Sequence, residues 1–518
     1  MGFITLQDEF HALDDRHAAH LIGKRAQSLS NVNLDAGSIK PLLGLGSTAT
    51  TGSGTLRSIW KFGALGWDAA MLTTIAWQYV EFNSQIMRAA AGSTPQRSAD
   101  GITWRDLGIA APAQLAGLTL AAGALTGTYT YYATYTSSLG GESAPSVVSA
   151  GISPAGQSVD VPLVASADAQ VNGIKLYRAG GAATGILLVG SYANTTATRN
   201  DNVADGSLGA AITTTTYGVP GNLEGIVVTP YGVLMGWIGD KLYFSETALP
   251  SAWPATNFVQ TTEAIKAVVP YAGGVLIITG AAPYLLLGTG SATFQLVRTL
   301  SQQGCKDRDT AVDMGDSVWY LSNDGICRFA GNNTIVVSKE SLADSTVSAI
   351  SATNAKAVRY NESYFLFHSA GWIQWDPRTQ GNWKKGDTVV NAVHYNKSAD
   401  ILYVAQTATV KGWEQGTALT FSYRTPDWEG ETPQNKKHLK MIGILHDGEI
   451  TAQPYMDGVA AGSLKTLTRS TLGLSEFRLP AGIKGHRVSV ELASTADVSP
   501  NANVTAILAK FGAEWKMR

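Results

Sequence analysis

Apolar and polar positions follow a two-strand pattern that recurs along much of the chain. Each repeat has an apolar strand, a short turn that often contains Gly, and a second strand that ends in polar residues. The repeats return at intervals of roughly 35–46 residues, close to the period of a four-stranded propeller blade. They are YGVLMGWIGDKLYFSE (231–246), AGGVLIITGAAPYLLLG (272–288), GDSVWYLSNDGICRFAG (315–331), NESYFLFHSAGWIQWDP (361–377) and SADILYVAQTATVKGWE (398–414). An earlier segment, GWDAAMLTTIAWQYVEF (66–82), has the same shape and predicts the first blade near the N-terminus.

A long interruption separates that first blade from the others. TGTYTYYATYTSSLGGESAPSVVS (126–149) alternates Tyr and Thr, and further strand patterns follow at 171–181 and 186–201. Alternation of this kind gives each strand one packed and one wet face. The interruption therefore predicts an inserted antiparallel sandwich of the fibronectin type III kind.

The pattern changes again after residue 420. Segments 449–458, 476–494 and 503–518 read as alternating strands without the blade interval, which predicts a C-terminal β-sandwich. Helical periodicity is weak, and the best helix candidate is Ala18 to Leu29, with Asp14 or Asp15 as its cap. The predicted fold is all-β, and its parts are an N-terminal segment with the first blade (1–117), the inserted sandwich (118–218), the remaining blades (219–420) and the C-terminal sandwich (421–518).

Composition narrows the classes of function. Charged residues make up 15% of the 518 residues and the net charge is −2, so the chain lacks the basic footprint of a nucleic-acid-binding domain. A surface with few charges tolerates large protein interfaces, because fewer charges lose water on contact. Two cysteines exclude a disulfide framework and favour buried thiols, although a single bridge is an alternative. The first residues lack a secretory signal and no apolar run is long enough to span a bilayer, so we expect synthesis and retention in a cytoplasm.

Candidate catalytic groups are few. Glu246, Asp324, Glu362 and Asp376 could supply a carboxylate pair at a propeller mouth, but each lies in a turn or at a strand end, where acidic residues are common. SNDGICRF (322–329) departs from the Asp-box of sialidase-like blades, and a plain hairpin turn is favoured.

Metal and phosphate sites have no strong signal either. His11, His17 and His20 cluster without a further ligand at zinc spacing, and GLGSTATTGSG (44–54) lacks the ending of a phosphate-binding loop. We therefore predict no catalytic residue, no cofactor and no metal, and we predict that the chain is not an enzyme.

Rigid aromatic residues on loops are the candidate contact residues. Trp253, Trp383 and Trp428 lie among Pro, Gly or charged neighbours, and Pro250 and Pro254 stiffen the loop that carries the first of them. Such residues often anchor protein interfaces. The alternative is that these tryptophans fold back onto their own domain.

Several segments together resemble the tail nozzle proteins of short-tailed bacteriophages, also called packaged-DNA stabilisation proteins. The resemblance covers most of residues 10–335, with six motifs in the expected order. The first motif (14–42) ends in the pattern carried here by Asn31, Val32, Leu34, Gly37, Ile39, Pro41 and Leu42. The others are LGIAAP (107–112), YTYYATYTSSLGGESAPS (129–146), IKLYRA (174–179), YFSETALPSAWP (243–254) and GCKDRDTAVDMGDSVWYLSNDGI (304–326).

The resemblance implies a structural virion protein, assembled in the host cytoplasm. Its expected partners are further copies of itself in a ring of six, the portal-adaptor protein, tail fibres or spikes, and double-stranded DNA that passes through the lumen without sequence recognition. Because strong contacts to phosphate would slow sliding, we also expect few unpaired basic residues in the lumen. The alternative is a carbohydrate-active or carbohydrate-binding propeller, such as a phage depolymerase; a tail-fibre adhesin is disfavoured because the chain has no fibrous repeat.

Overall fold

The structure is a computed structural model, and it describes residues 3–34, 37–62, 67, 71–272, 274–350, 353–378, 383–430, 433–494 and 502–511. The chain divides into two compact units. Unit 1 comprises Met1–Thr74, Tyr271–Gly273 and Thr299–Arg518, and unit 2 comprises Ile75–Pro270 and Gly274–Arg298. No helix in the described ranges is long and apolar enough to cross a membrane.

The N-terminal segment consists of short strands. They are β1 (Ile4–Gln7), β2 (His11–Leu13), β3 (Arg25–Ala26), β4 (Ser28–Ser30), β5 (Val32–Asn33), β6 (Lys40–Pro41), β7 (Thr48–Thr51), β8 (Ser58–Ile59) and β9 (Leu72–Thr73). The predicted helix over residues 18–29 is wrong, because β3 and β4 occupy its second half. Gly23, just before β3, has a φ of +64°, which interrupts a helical path through this segment.

The first blade sheet and the inserted sandwich follow. The blade sheet contains β10 (Gln78–Phe82), β11 (Gln85–Ala89), β12 (Gln96–Ser98) and β13 (Arg105–Asp106) in chain order. The sandwich has one sheet of β14 (Thr119–Thr126), β16 (Ala155–Leu163) and β19 (Ala197–Asp201), and another of β15 (Tyr129–Ser137), β17 (Val171–Gly180) and β18 (Ala183–Ala193). The predicted repeat at 66–82 therefore contains only one strand of this blade sheet, and residues 63–66 and 68–70 lie outside the described residues.

Five further four-stranded antiparallel sheets carry the predicted repeats, each in its two middle strands. The second and third blade sheets contain β20 (Gly225–Val228), β21 (Leu234–Ile238), β22 (Lys241–Phe244) and β23 (Phe258–Gln260), then β24 (Ile265–Tyr271), β25 (Gly274–Thr279), β26 (Pro283–Leu287) and β27 (Gln295–Arg298). The fourth and fifth contain β28 (Val312–Asp313), β29 (Val318–Leu321), β30 (Ile326–Ala330) and β31 (Asn333–Val336), then β32 (Lys356–Tyr360), β33 (Ser363–His368), β34 (Gly371–Trp375) and β35 (Trp383–Gly386). The sixth has β36 (Ala392–Asn396), β37 (Ile401–Gln406) and β38 (Thr409–Gly412), and takes β7 as its fourth strand. The all-β, propeller-type fold predicted from the sequence is confirmed.

Helical structure is confined to short turns in the described residues. The α-helix α1 spans Asp344–Ser348, and 3-10 turns span Asp205–Ser207, Arg308–Thr310 and Val337–Glu340. Cys305 and Cys327 are free and buried, as expected, and burial raises the pKa of the Cys305 thiol to about 12.

The C-terminal region forms a nine-stranded sheet that includes two N-terminal strands. Its own strands are β39 (Ser422–Arg424), β40 (Lys437–Met456), β41 (Val459–Ala460), β42 (Lys465–Arg478), β43 (Lys484–Gly485), β44 (Val488–Ser494) and β45 (Asn503–Phe511). The sheet runs β1-β45-β40-β44-β39-β4, and β41, β42 and β43 also pair with the long β40. The N-terminal segment is therefore part of this sheet and of the sixth blade sheet, which the sequence did not predict.

Each unit has its own apolar cores. In unit 1, Phe10 packs edge-on against Tyr423 at 5.4 Å, within a core that also contains Trp319 and Leu366 of the fourth and fifth blade sheets. In unit 2, one core fills the sandwich, and two others lie between the first and second and between the second and third blade sheets.

A buried arginine fixes the sandwich to the first blade sheet. Arg97 of β12 is fully buried and donates to Gln170 Oε1 at 2.7 Å, to Ser137 Oγ at 3.1 Å and to the Gly140 carbonyl at 3.1 Å. Gln170 in turn donates to the carbonyls of Asp106 and Gly108. Burial lowers the pKa of Arg97 to about 10, so the guanidinium remains charged and its hydrogen bonds remain strong at neutral pH.

Candidate functional site

The predicted contact loop of residues 250–254 is packed into its own chain. Trp253 is 4% exposed, belongs to the core between the first and second blade sheets, and donates its Nε1 hydrogen to the Pro250 carbonyl at 2.8 Å. Pro250 and Pro254 are buried too. The prediction of an exposed anchor here is corrected. Burying the apolar ring of Trp253 in the core is more favourable than leaving it exposed to water.

The other two predicted anchors are also packed inward. Trp383 is buried in β35 and belongs to the main core of unit 1. Trp428 is half-buried and stacks on Phe511 at 5.2 Å. Both residues therefore stabilise this chain, and neither offers its full ring to a partner.

Asp376 is the most deeply buried of the four predicted carboxylates. It accepts hydrogen bonds from Arg378 Nε at 3.0 Å and from Lys384 Nζ at 3.1 Å. Burial raises its pKa, but the hydrogen bonds from Arg378 and the charge of Lys384 outweigh burial and lower the pKa to about 2. A carboxylate that stays ionised in a buried ion pair supports the fold and does not serve as a general acid.

Glu246, Asp324 and Glu362 belong to three different blade sheets and have local partners or turn positions. Glu246 Oε1 accepts from Asn257 at 3.1 Å, and Asp324 accepts from Gln303 at 2.8 Å. Glu362 lies in the tight turn before β33, with a φ of +61°. The Ser322 hydroxyl donates to the Gly325 carbonyl at 2.9 Å, which confirms the hairpin-turn interpretation of this segment.

The N-terminal histidines lie on the loop between β2 and β3 and beside it. His17 Nδ1 is 3.0 Å from Asp14 Oδ1, and Arg25 donates to Asp14 Oδ2 at 2.9 Å. Together with His11 they line a cavity of about 470 Å³. Burial lowers the pKa of His11, so its ring is neutral at pH 7.

A second cavity, which we call the acidic cleft, opens near the same loop. It has a volume of about 640 Å³ and is lined by His20, Asp427, Glu429, Pro433, Gln434, Asp457, Gly458, His486 and Arg487. His20 comes from the loop after β2, Asp427 and Glu429 from the segment after β39, Asp457 from the turn after β40, and His486 and Arg487 from the segment before β44. Three carboxylates, two imidazoles and one guanidinium thus meet in one concavity.

Hydrogen bonds hold the acidic cleft in shape. The backbone N–H of Asp427 donates to the Ala19 carbonyl at 3.0 Å, which fixes the loop that carries His20. Arg487 Nε donates to Glu429 Oε1 at 2.6 Å. The Asp457 carboxylate accepts the backbone N–H groups of His486 and Arg487 at 2.9 and 2.8 Å. Asp457 therefore fixes the backbone just before β44, while Glu429 and His20 face the cleft.

Among the described residues, no atom is within hydrogen-bond distance of His20 Nδ1 in the acidic cleft. His20 Nδ1 is buried, and its nearest acidic oxygen is Glu429 Oε1 at 4.0 Å, beyond hydrogen-bond distance. A buried polar atom without a partner is costly, and a hydroxyl-bearing ligand would satisfy it. Among the described residues, no group of three or more His, Cys, Asp or Glu could hold a metal ion. The chemistry offered is hydrogen bonding to a polar ligand.

Comparison with known proteins gives structural matches alone. No family model matches the chain, and no curated protein matches it.

Several solved structures match at low similarity. The extracellular domain of a putative one-component system from B. thetaiotaomicron has 8% identity and a TM-score of 0.25, over 88% of this chain and 84% of its own. An exo-β-1,3-galactanase from Phanerochaete chrysosporium, solved with galactose, has 9% identity and a TM-score of 0.16, over 76% and 100%. A glycoside hydrolase family 43 arabinoxylan arabinofuranohydrolase from Bacillus subtilis has 9% identity and a TM-score of 0.18, over 91% and 96%.

These matches correct the prediction that the chain is not an enzyme. Glycoside hydrolases are among the matching structures, so that prediction is not kept. At TM-scores this low, the likeness carries no argument for a particular activity.

Proposed function

We propose that the chain is a subunit of the tail nozzle of a short-tailed phage, a ring that continues the DNA channel at the distal end of the tail. The six ordered sequence motifs support this proposal. So does the arrangement of the chain, in which a sandwich is inserted after the first blade sheet and a C-terminal β-sheet follows the last one.

The free edge of β42 is the observation that carries the proposal. This strand has 14 residues and pairs with β40 on one side, and no strand in the described ranges pairs with its other edge. Exposed, uncharged side chains line much of it, at Thr466, Thr468, Ser470 and Leu472. An open edge of this length can take a strand from a second copy. A contact between unlike surfaces, repeated around an axis, closes into a ring when the rotation between copies fits a full turn.

In this proposal the ring has six copies and belongs to the virion. The portal-adaptor protein binds one side of the ring, tail fibres or spikes bind elsewhere on it, and double-stranded DNA passes through without sequence recognition.

Electron microscopy of the purified chain, alone and with its portal-adaptor protein, tests the nozzle. We expect closed rings with an open lumen. The double variant Thr468→Lys/Ser470→Lys is expected to abolish rings, because charge on an edge strand blocks pairing. Val219→Lys is the control, since this exposed valine lies outside the C-terminal sheet, and it should leave rings intact. Single particles under all conditions would contradict the proposal.

Carbohydrate binding or cleavage is the second candidate function. The acidic cleft favours it, because carboxylate, imidazole and guanidinium groups commonly hold sugar hydroxyls, and no described residue hydrogen-bonds to His20 Nδ1.

Screening of the full chain on immobilised glycans, with reducing-end release measured in parallel, tests this candidate. Glu429→Gln and His20→Gln are expected to reduce glycan binding or release about tenfold or more, because the first replaces a charged carboxylate acceptor with a neutral amide and the second removes the imidazole that would contact the sugar. Glu476→Gln, in the exposed part of β42, is the matched control and should leave the signal unchanged. A signal that is equal in all variants, or no signal on any glycan, would remove this candidate.

A further inference from the structure

A third cavity in unit 1 is lined by cationic and apolar residues. It lies beside the start of β40, has a volume of about 320 Å³ and is lined by His438, Lys440, Met441, Arg478, Leu479, Pro480, Ala481 and Lys510. No acidic residue is part of this described lining. We call it the cationic pocket.

Strand register explains why two of the cations share one face of the sheet. Met441 of β40 lies opposite Arg478 of β42 on one side and opposite Lys510 of β45 on the other. Residues directly opposite each other on antiparallel strands project from the same face. Arg478 and Lys510 therefore flank Met441 in a single cross-strand row.

An irregularity in β40 adds the third cation. Leu439 pairs with Phe511 and Met441 pairs with Lys510, so Lys440 is an extra residue without an opposite partner. A β-bulge of this kind turns its side chain away from strict alternation and often lies next to a functional site. Lys440 is exposed and lines the pocket together with Arg478 and Lys510.

Within the described part of the chain, the charges in this row have no acidic partner. Among the described residues, Lys440 and Arg478 form no ion pair, and the contact recorded for Lys510 is with the ring of Phe3, 5.9 Å from its centroid. Like charges on neighbouring strands repel each other. Only 15% of the residues are charged and the net charge is −2, so three cations around one cavity are a local excess of positive charge.

We propose that the cationic pocket binds a tetrahedral oxyanion, a phosphate or sulfate group that is either free or part of an ester. Arg478 offers a planar fork of donors that suits two oxygens of such a group. Lys440 and Lys510 supply point charges from the two sides, and Met441 and Pro480 form an apolar floor. This inference does not depend on either proposed function, because it concerns a different cavity and a different ligand chemistry.

Calorimetric titration of the full chain with inorganic phosphate at low ionic strength tests the pocket. We expect saturable binding at one site. Arg478→Gln and Lys440→Gln are each expected to weaken it about tenfold or more, since each removes a charge-assisted hydrogen bond. Lys397→Gln is the control, because it removes the same charge from an exposed turn after β36, and it should change affinity less than about twofold.

Two further arms sharpen the experiment. A phosphomonoester that binds more tightly than inorganic phosphate identifies an ester as the ligand, and equal affinity identifies the free anion; acetate should bind far more weakly than either. Lys440 is solvent-exposed, so its variant tests the pocket even if Arg478→Gln fails to fold. Phosphate binding that does not saturate, or that is the same in Lys440→Gln and Lys397→Gln, would overturn the proposal.

Discussion

Replacing Arg178 by methionine is expected to lower the free energy of unfolding of the inserted sandwich by about 3–5 kcal/mol. Arg178 lies on β17, and its side chain is fully buried. Its Nη1 donates to Asp201 Oδ2 at 2.6 Å, and its Nη2 donates to Asp205 Oδ1 at 2.7 Å and to the Val203 carbonyl at 2.8 Å. One guanidinium thus connects β17 with the end of β19 and the turn after it.

The large effect comes from the charge that the substitution leaves behind. Asp201 is as deeply buried as Arg178, and Tyr131 would remain as a hydrogen-bond donor to it, at 2.8 Å. The backbone N–H of Val203 would also still donate to Asp201 Oδ1, at 3.0 Å. Two neutral donors do not replace a guanidinium, so the buried carboxylate would keep much of its desolvation penalty. Methionine fills much of the volume of arginine. The loss in free energy of unfolding would therefore come mainly from the unpaired charge and only to a small extent from a cavity.

Urea unfolding of the full chain, with hydrogen exchange to localise the effect, measures this prediction. The control is Arg199→Met on β19, which removes an arginine from the same sandwich. Arg199 is half-buried, and its recorded contacts are a hydrogen bond to Thr195 at 3.4 Å and the ring of Tyr192 at 4.7 Å. We expect a loss of about 1 kcal/mol or less for it. Equal losses in the two variants would contradict the role given to the Arg178–Asp201 pair.

The sequence predicted the fold well where paired strands follow each other directly along the chain. The middle strands of five blade sheets were predicted, because two apolar strands joined by a short turn leave a local pattern. The Tyr and Thr alternation of β15 likewise marked the sandwich. The edge strands had weaker signals, and the first blade sheet was placed too early because β9 and β10 look like a hairpin but pair with different partners.

Long-range pairing accounts for most of what the sequence did not reveal. Strands of two to four residues, such as β4 and β7, are too short to show a period. Their partners, β39 and β38, lie several hundred residues later in the chain. The acidic cleft had the same problem: His20 was noted as part of a histidine cluster, but nothing local connects it with Glu429 or Arg487.

For the loop tryptophans, the sequence left two interpretations open, and the structure shows the one in which they pack onto their own chain. Local neighbours such as Pro250 and Pro254 indicated a stiff loop correctly, but a side chain on a loop is not necessarily exposed to solvent. Trp253 fills a core between two sheets from its loop position, and its indole hydrogen bonds to a carbonyl of the same loop. Sequence neighbours determine the stiffness of the backbone, whereas the direction of the ring depends on the sheets it packs against.

The second prediction with a large effect concerns the segment that was expected to be helical. Leu29→Ala is expected to lower the free energy of unfolding of unit 1 by about 2.7–5 kcal/mol, the range for truncating a buried leucine. Leu29 lies on β4, is 1% exposed, and pairs with Tyr423 of β39 inside the main core of unit 1. Alanine would leave a cavity between the N-terminal segment and the C-terminal sheet.

Leu21→Ala is the matched control and separates the two structures of this segment. In a helix, residues 21 and 29 would lie on one apolar stripe, so both truncations would cost stability. In the strand structure Leu21 is 70% exposed, and its truncation should change stability by less than about 0.5 kcal/mol. Urea unfolding followed by tryptophan fluorescence gives both values. Comparable losses would favour the helix and remove the N-terminal strand from the C-terminal sheet; a loss confined to Leu29→Ala would establish that this sheet depends on both ends of the chain.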